Sequence, residues 1–421
     1  MKQKADLIVT NGEVFTVAAN LPKVEAFAVK NGKIVAIGTQ DDISAGFDAP
    51  KILDLNGKFV YPGFIDAHCH FFGYALGLQY IDLSGCASFD EVIQRLQSEK
   101  HNEGKWLVGR GWDQNLWTEK HFPDNVRLNQ LYPNTPVMLI RVDGHVVLAN
   151  KAALEAANID KSNSFANEQV EIKNNILTGI LSETAADKMR SAAPVPTGEE
   201  LSRLLKEAER RCFAVGLTTV SDAGLDYDQV MVLDSMQKTG ALSMQIYAML
   251  TPNEKNVSEL IRKGIYQTDN LVARSIKIYA DGSLGSRTAK LKQAYSDAPG
   301  QSGIIVTSPD SMKTLCRMAL DNGYQVNTHC IGDSAVSLVL NIYADFLKGS
   351  NDLRWRIEHG QVVDPADFHL FGDNSIIPSV QATHATSDMY WAENRLGQER
   401  IKGAYAYKSL MNQNGWLANG T

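Results

Sequence analysis

From residue 216 onward the chain repeats one rhythm: a short β-rich run, a loop, then a helical stretch. The runs are GLTTVSDAG (216–224), MQIYAML (244–250), SIKIYADG (275–282), YQVNTHCIG (324–332), RWRIEHGQ (354–361), SIIPSVQAT (375–383) and GWLANGT (415–421). Between most of them lie helical patterns such as SMKTLCRMALDNG (311–323), which closes on Gly323 as a helix does. With KFVYPGFID (58–66) the runs number eight. Single strands alternating with helices predict a parallel sheet, and eight of them predict an α/β fold of (β/α)8 type, a TIM barrel. A doubly wound open sheet is the rival on pattern alone.

Two stretches stand outside this rhythm. Residues 1–59 hold short β-rich runs broken three times by Asn-Gly, at 11–12, 31–32 and 56–57. Asn-Gly between alternating apolar residues is a hairpin signal, so a small antiparallel β unit is expected there. Residues 60–421 form the barrel region, interrupted at 71–209 by an insert with strand-like runs of its own, KWLVGRGW and TPVMLIRVDGHVVL. Lys and Arg are interspersed with acids and the formal net charge is −7, which argues against a nucleic-acid partner. The longest apolar stretches fall well short of the ~20 residues a membrane helix needs. MKQKADLIVTNG lacks the apolar core of a signal peptide. The five cysteines (69, 86, 212, 316, 330) are scattered and without CxxC spacing, so reduced thiols and a cytoplasmic location are expected.

The chemistry is suggested by where histidines fall. In IDAHCH, His68 and His70 are two residues apart and point the same way from a strand, while Cys69 faces the other. At the C-terminal end of a first barrel strand, that side is the active-site mouth. Taken alone, the motif suits a ligand pair and a solvated strand end equally. His329 ends YQVNTH and His359 ends RWRIEH, each at the C-terminal end of an expected strand. Lys277 sits inside a strand that is otherwise apolar, where an unpartnered ammonium is costly. It either snorkels to solvent or, as an amine of depressed pKa, reacts with CO2 to give a carbamate able to bridge metals. Imidazoles at separate strand ends with one anionic bridge suit Zn2+ or a similar divalent ion.

PGFIDAHCH after an Asn-Gly-rich β unit, then NTHCIGD and IEHGQ, resembles the amidohydrolase superfamily. GRGWDQNLW (109–117), RVDGHVVLAN (141–150), TGILSE (178–183) and KIYADGSLGSRTA (277–289) resemble its YtcJ-like, amidohydrolase 3 branch, which includes N-substituted formamide deformylases. The resemblance spans essentially the whole chain. It implies a (β/α)8 barrel, a small β-sandwich to which the N-terminal unit contributes, and a centre of one or two divalent ions, zinc above all. It further implies His68, His70, His329 and His359 as ligands, and Lys277 as a carboxylated bridging lysine. Such an ion acidifies water and polarises a scissile carbonyl, and the reaction then needs oxyanion donors and an acid for the leaving amine.

Asp143 and His145 in VDGHV and His384 in QATHAT are the candidates for proton transfer or substrate binding, against plain readings as a turn and a loop residue. Trp112, Asp113, Glu183, Asp281 and Arg287 are candidates to line the substrate pocket, with core packing the competing role for Trp112 and helix-start charge for Glu183. A small-molecule substrate and a homodimer are expected, with no nucleic-acid or membrane partner. In the superfamily the eighth strand ends in an aspartate that binds metal and handles the proton of the attacking water. Here GWLANGT stops at Thr421, one position short of it and before the last helix and the remaining sandwich strands. The expected activity is hydrolysis of an amide- or formamide-like C–N bond. The alternatives are a truncated, inactive barrel that retains metal or ligand binding, and a metal-free binding barrel.

Overall fold

The computed structural model describes residues 2–99, 105–162 and 169–421, with the side chains of residues 183, 260 and 261 left out. Contacts divide the chain into two units, Met1–Phe64 with Gly216–Thr218, and Ile65–Val215 with Thr219–Thr421.

The first unit carries a four-stranded sheet in the order Lys33–Gly38, Ala26–Lys30, Leu7–Thr10, Lys51–Asp54. A three-stranded sheet runs Lys23–Val24, Glu13–Phe15, Phe59–Val60. Only the Asn-Gly at 31–32 makes a hairpin, pairing Lys30 with Lys33. Those at 11–12 and 56–57 carry the chain from one sheet into the other, and with the short pairing of Gln3–Lys4 and Phe47–Asp48 three pairings are parallel, so the unit is not purely antiparallel as expected. The left-handed φ of Asn11, Asn31 and Asn56 is what these turns share, and it does not decide which strand comes next.

KFVYPGFID, read as one strand, is two. Phe59–Val60 joins the three-stranded sheet, and a separate strand begins at Phe64 after Pro62-Gly63. The glycine is required by proximity, since a Cβ on Gly63 would lie 2.1 Å from Thr218 Oγ1.

Eight parallel strands lie in one path: β1 (Phe64–Cys69), β2 (Leu217–Leu225), β3 (Gln245–Leu250), β4 (Leu271–Tyr279), β5 (Gln325–Cys330), β6 (Arg356–His359), β7 (Ile377–Val380) and β8 (Ala418–Asn419). This is the (β/α)8 barrel, nearly closed. At its seam the Thr421 amide donates to the His68 carbonyl at 2.9 Å, while Asp66 accepts from the amides of His68 (3.0 Å) and Thr421 (3.2 Å) and from the Thr421 hydroxyl (2.7 Å).

Along each strand one set of residues faces outward onto helices. Helix Asp333–Leu347 buries Val336, Val339, Leu340, Tyr343 and Leu347, a three-to-four-residue stripe. The other set faces the barrel interior and is polar at its upper levels: Lys277, Asn327, Arg356, Glu358 and Ser379 are all buried. The insert folds as a six-stranded sheet whose apolar cluster includes Leu83, Ile93, Trp112, Trp117, Leu128 and Leu139. Among the described residues no helix is long and apolar enough to cross a membrane.

Candidate metal centre

Period-two alternation on β1, β4 and β5 brings His68, His70, Lys277 and His329 to one end of the barrel, and His359, adjacent to the inward-facing Glu358, joins them through a left-handed backbone at the end of β6. The ring of His68 lies 5.6 Å from that of His70 and 4.8 Å from that of His359, which is 4.6 Å from His329. His359 has φ +74°, a left-handed conformation uncommon outside glycine, directly where β6 ends.

Each imidazole has one nitrogen fixed by the protein. Nδ1 of His68 donates to Glu358 Oε2 at 2.5 Å, Nδ1 of His70 to the Ala223 carbonyl at 2.8 Å, and Nδ1 of His359 to Gln381 Oε1 at 2.6 Å. Nε2 of His329 donates to the Gly282 carbonyl at 3.1 Å. Lys277 Nζ stands 3.3 Å from Nε2 of His68.

Burial, and then the nearby Lys277 cation, lower the proton affinity of His68 to about 4 and of His329 to about 3. Burial also brings Lys277 down to about 8. Burial opposes ionisation of Glu358, but Arg356, His68 and Lys277 outweigh it and hold the carboxyl well below its ordinary range. Arg356 Nη2 lies 2.6 Å from the second Glu358 oxygen.

These observations test whether a divalent ion fits. Neutral imidazoles, each oriented through its other nitrogen by a carbonyl or carboxylate, form a donor set of the kind that ligates zinc. The side chains are gathered without yet enclosing one point: among the described residues no three His, Cys, Asp or Glu donors converge as a metal site. The donor chemistry fits.

His384, on the helix Ala382–Asp388, has its ring 5.7 Å from that of His359. His145 lies close enough to His329 to lower its proton affinity slightly. The Arg141 guanidinium grips Asp143 at 2.6 Å and Asp113 at 2.7 Å, and Asp143 accepts from the His145 amide at 3.0 Å. Both carboxylates thereby fix the loop that carries His145.

Trp112 departs from the expectation of a pocket wall. A bulge at Gly111, φ +109°, turns it into the insert's core, where it is 1% exposed and its indole N–H donates to the Leu139 carbonyl. Asp281 is buried with its oxygens taken by the amides of Ile331, Gly332 and Lys290, so it clamps the loop beyond β5. Arg287 points its guanidinium at Asp297 through two bonds of 2.9–3.0 Å. The Glu183 side chain lies outside the described residues.

Three residues of the site escaped the sequence reading. Glu358 stands two positions after Arg356 on a buried strand, and the need to balance Lys277 was the available signal. Gln381 follows β7 directly, and Tyr279, two residues beyond Lys277, has its ring 5.8 Å from that of His329.

A family profile described as "Amidohydrolase family" matches residues 51–421. The chain is 30% identical to "Protein LONG AFTER FAR-RED 3" of Arabidopsis thaliana over 99% of its own length and 75% of the relative's. It is 26% identical to the N-substituted formamide deformylase of Arthrobacter pascens, over 89% of this chain and 72% of that one. An uncharacterized metal-dependent hydrolase from Pyrococcus horikoshii has a solved structure that superposes with a TM-score of 0.82, at 30% identity, over 99% of this chain and 82% of its own.

Proposed function

The chain belongs to the amidohydrolase family, and on that premise we propose that it is a metal-dependent hydrolase of an amide- or formamide-like C–N bond in a small molecule. The observation that carries this reading is the set of four imidazoles gathered at one barrel end, each with one nitrogen fixed by the protein. His68, His70, His329, His359 and Lys277 would hold one or two divalent ions, zinc first among them. Such an ion supplies acidified water and a Lewis acid for the scissile carbonyl.

Charge balance supports carboxylation of Lys277. Glu358 is one carboxylate against two buried cations, Arg356 and Lys277, which leaves an excess of positive charge beside the imidazoles. A carbamate on Lys277 reverses that excess and makes the position attractive to a cation. The lowered proton affinity of the amine provides the free base that CO2 requires. His145, near His329, and His384, beside His359, are the residues available to bind the carbonyl oxygen and to pass a proton to the leaving amine.

The test is an assay of zinc-loaded protein against N-formyl and N-acyl amines, following release of free amine. Turnover that disappears on chelation and returns with zinc is expected. Zinc binding without amine release from any of these substrates would overturn the C–N assignment, and elemental analysis finding no stoichiometric metal would overturn the centre itself.

A further inference from the structure

Beneath the histidines, on three neighbouring strands, six buried side-chain atoms lack a hydrogen-bond partner. They are Nδ2 and Oδ1 of Asn327 on β5, Nε of Arg356 and Oε1 of Glu358 on β6, Oγ of Ser379 on β7, and Nε2 of Gln381 just beyond it. Only four other such atoms occur among the described residues, on Gln169, Asp234, Gln237 and Arg395, so the clustering is local rather than general. Glu358 Oε1 is ion-paired to Arg356 Nη2 but not hydrogen bonded by it.

The six atoms share one wall of the barrel interior. Asn327 stands opposite Arg356, and Glu358 opposite Ser379, in the pairing of β5 with β6 and β6 with β7. Residues 356 and 358 project to one side of their strand, as do 379 and 381 of theirs. Glu358 touches His68 and Gln381 touches His359, which fixes that side as the interior.

Buried polar atoms in folded proteins are paired as a rule, so six unpaired ones side by side call for a common partner. The occupant must both donate and accept. Asn327 Nδ2, Arg356 Nε and Gln381 Nε2 need acceptors, whereas Asn327 Oδ1 and Glu358 Oε1 need donors, and the Ser379 hydroxyl serves either way. An anion would face the Glu358 carboxylate, a cation would face Arg356 and Lys277, and an apolar molecule would satisfy none of them. Water satisfies all.

We propose that this wall binds an ordered cluster of internal water molecules that bridges Asn327, Arg356, Glu358, Ser379 and Gln381. Glu358 and Gln381 hold Nδ1 of His68 and His359, so the water fixes the far ends of the two side chains that aim those imidazoles. Asn327 and Ser379, which bond no histidine, are then positioning residues acting through water. The positioning role rests on the metal-centre reading; the water site does not.

A crystal structure of the full chain, with Ser379→Ala, Ser379→Thr and Asn327→Leu variants, tests both parts, with Zn2+ affinity measured against a chromophoric chelator. The expected density shows waters each bonded to at least two of the six atoms. Asn327→Leu and Ser379→Ala are expected to lose waters and to weaken Zn2+ binding about tenfold, as loss of outer-shell support does, while Ser379→Thr keeps both. A dry wall with Asn327 bonded directly to Arg356, or an ion in the density, overturns the water site. Displaced waters with unchanged affinity overturn the positioning role. If no form binds Zn2+, the metal reading of the proposed function fails, and density alone decides the water site.

Discussion

Glu358 shows how much one buried side chain carries. It orients His68 through Nδ1, balances Arg356 and Lys277, and is itself fully enclosed. Removing its charge while keeping its shape, as in Glu358→Gln, strands two buried cations. Breaking a buried pair in this way costs about 3–5 kcal/mol. The urea midpoint of the variant is expected to fall accordingly, and a midpoint equal to wild type would show that the cations find another partner. Lys277 was legible in the sequence because a lysine in an apolar strand is conspicuous. Its counter-charge was not, because Glu358 sits in a short run already marked by His359 and Arg356, and nothing local says which way it points.

At the scale of elements, the strands of the barrel were readable wherever β-branched runs ended in loops, and misread where two strands abutted. Residues 58–66 look continuous because Phe59, Val60, Phe64 and Ile65 share one composition, yet Pro62-Gly63 sends them to different sheets. The insert's strands were visible, but the bulge that buries Trp112 was not, since a bulge depends on the partner strand. The seam between β1 and β8 depends on Asp66, whose carboxylate accepts two amides and a hydroxyl. Asp66→Ala leaves the buried His68 amide without this acceptor, at a cost of about 1–3 kcal/mol. Thermal unfolding of the variant should therefore begin at lower temperature than wild type, and an unchanged melting point would mean that the seam does not rely on this carboxylate.

For the molecule as a whole, the buried titratable groups set the response to acid. His68, His70, His329, His359 and His384 all have lowered proton affinities, with burial the first cause in each. The unfolded chain takes up their protons first as pH falls through 6.5, so they withdraw stability from there down to about 4 for His68 and about 3 for His329. Asp222 and Asp281, raised to about 7 by burial, and Asp333, raised less, act in the opposite direction, holding protons that the unfolded chain releases. The three histidines shifted furthest, His68, His329 and His359, outweigh Asp222 and Asp281 over this range, which leaves a net loss on acidification. Chelator-treated protein is expected to melt at progressively lower temperature from pH 6.5 to 4, and a melting point that rises over this range would contradict the neutral-imidazole arrangement. The βα repetition and the strand ends on which the histidines lie are written in the sequence, because strand length and period-two alternation are local properties, whereas a closed barrel and an open sheet share that pattern. Only the tertiary structure decided what holds those histidines. His68 meets Glu358 across 290 positions of chain, a contact created by the closure of the barrel and by no pattern within either strand.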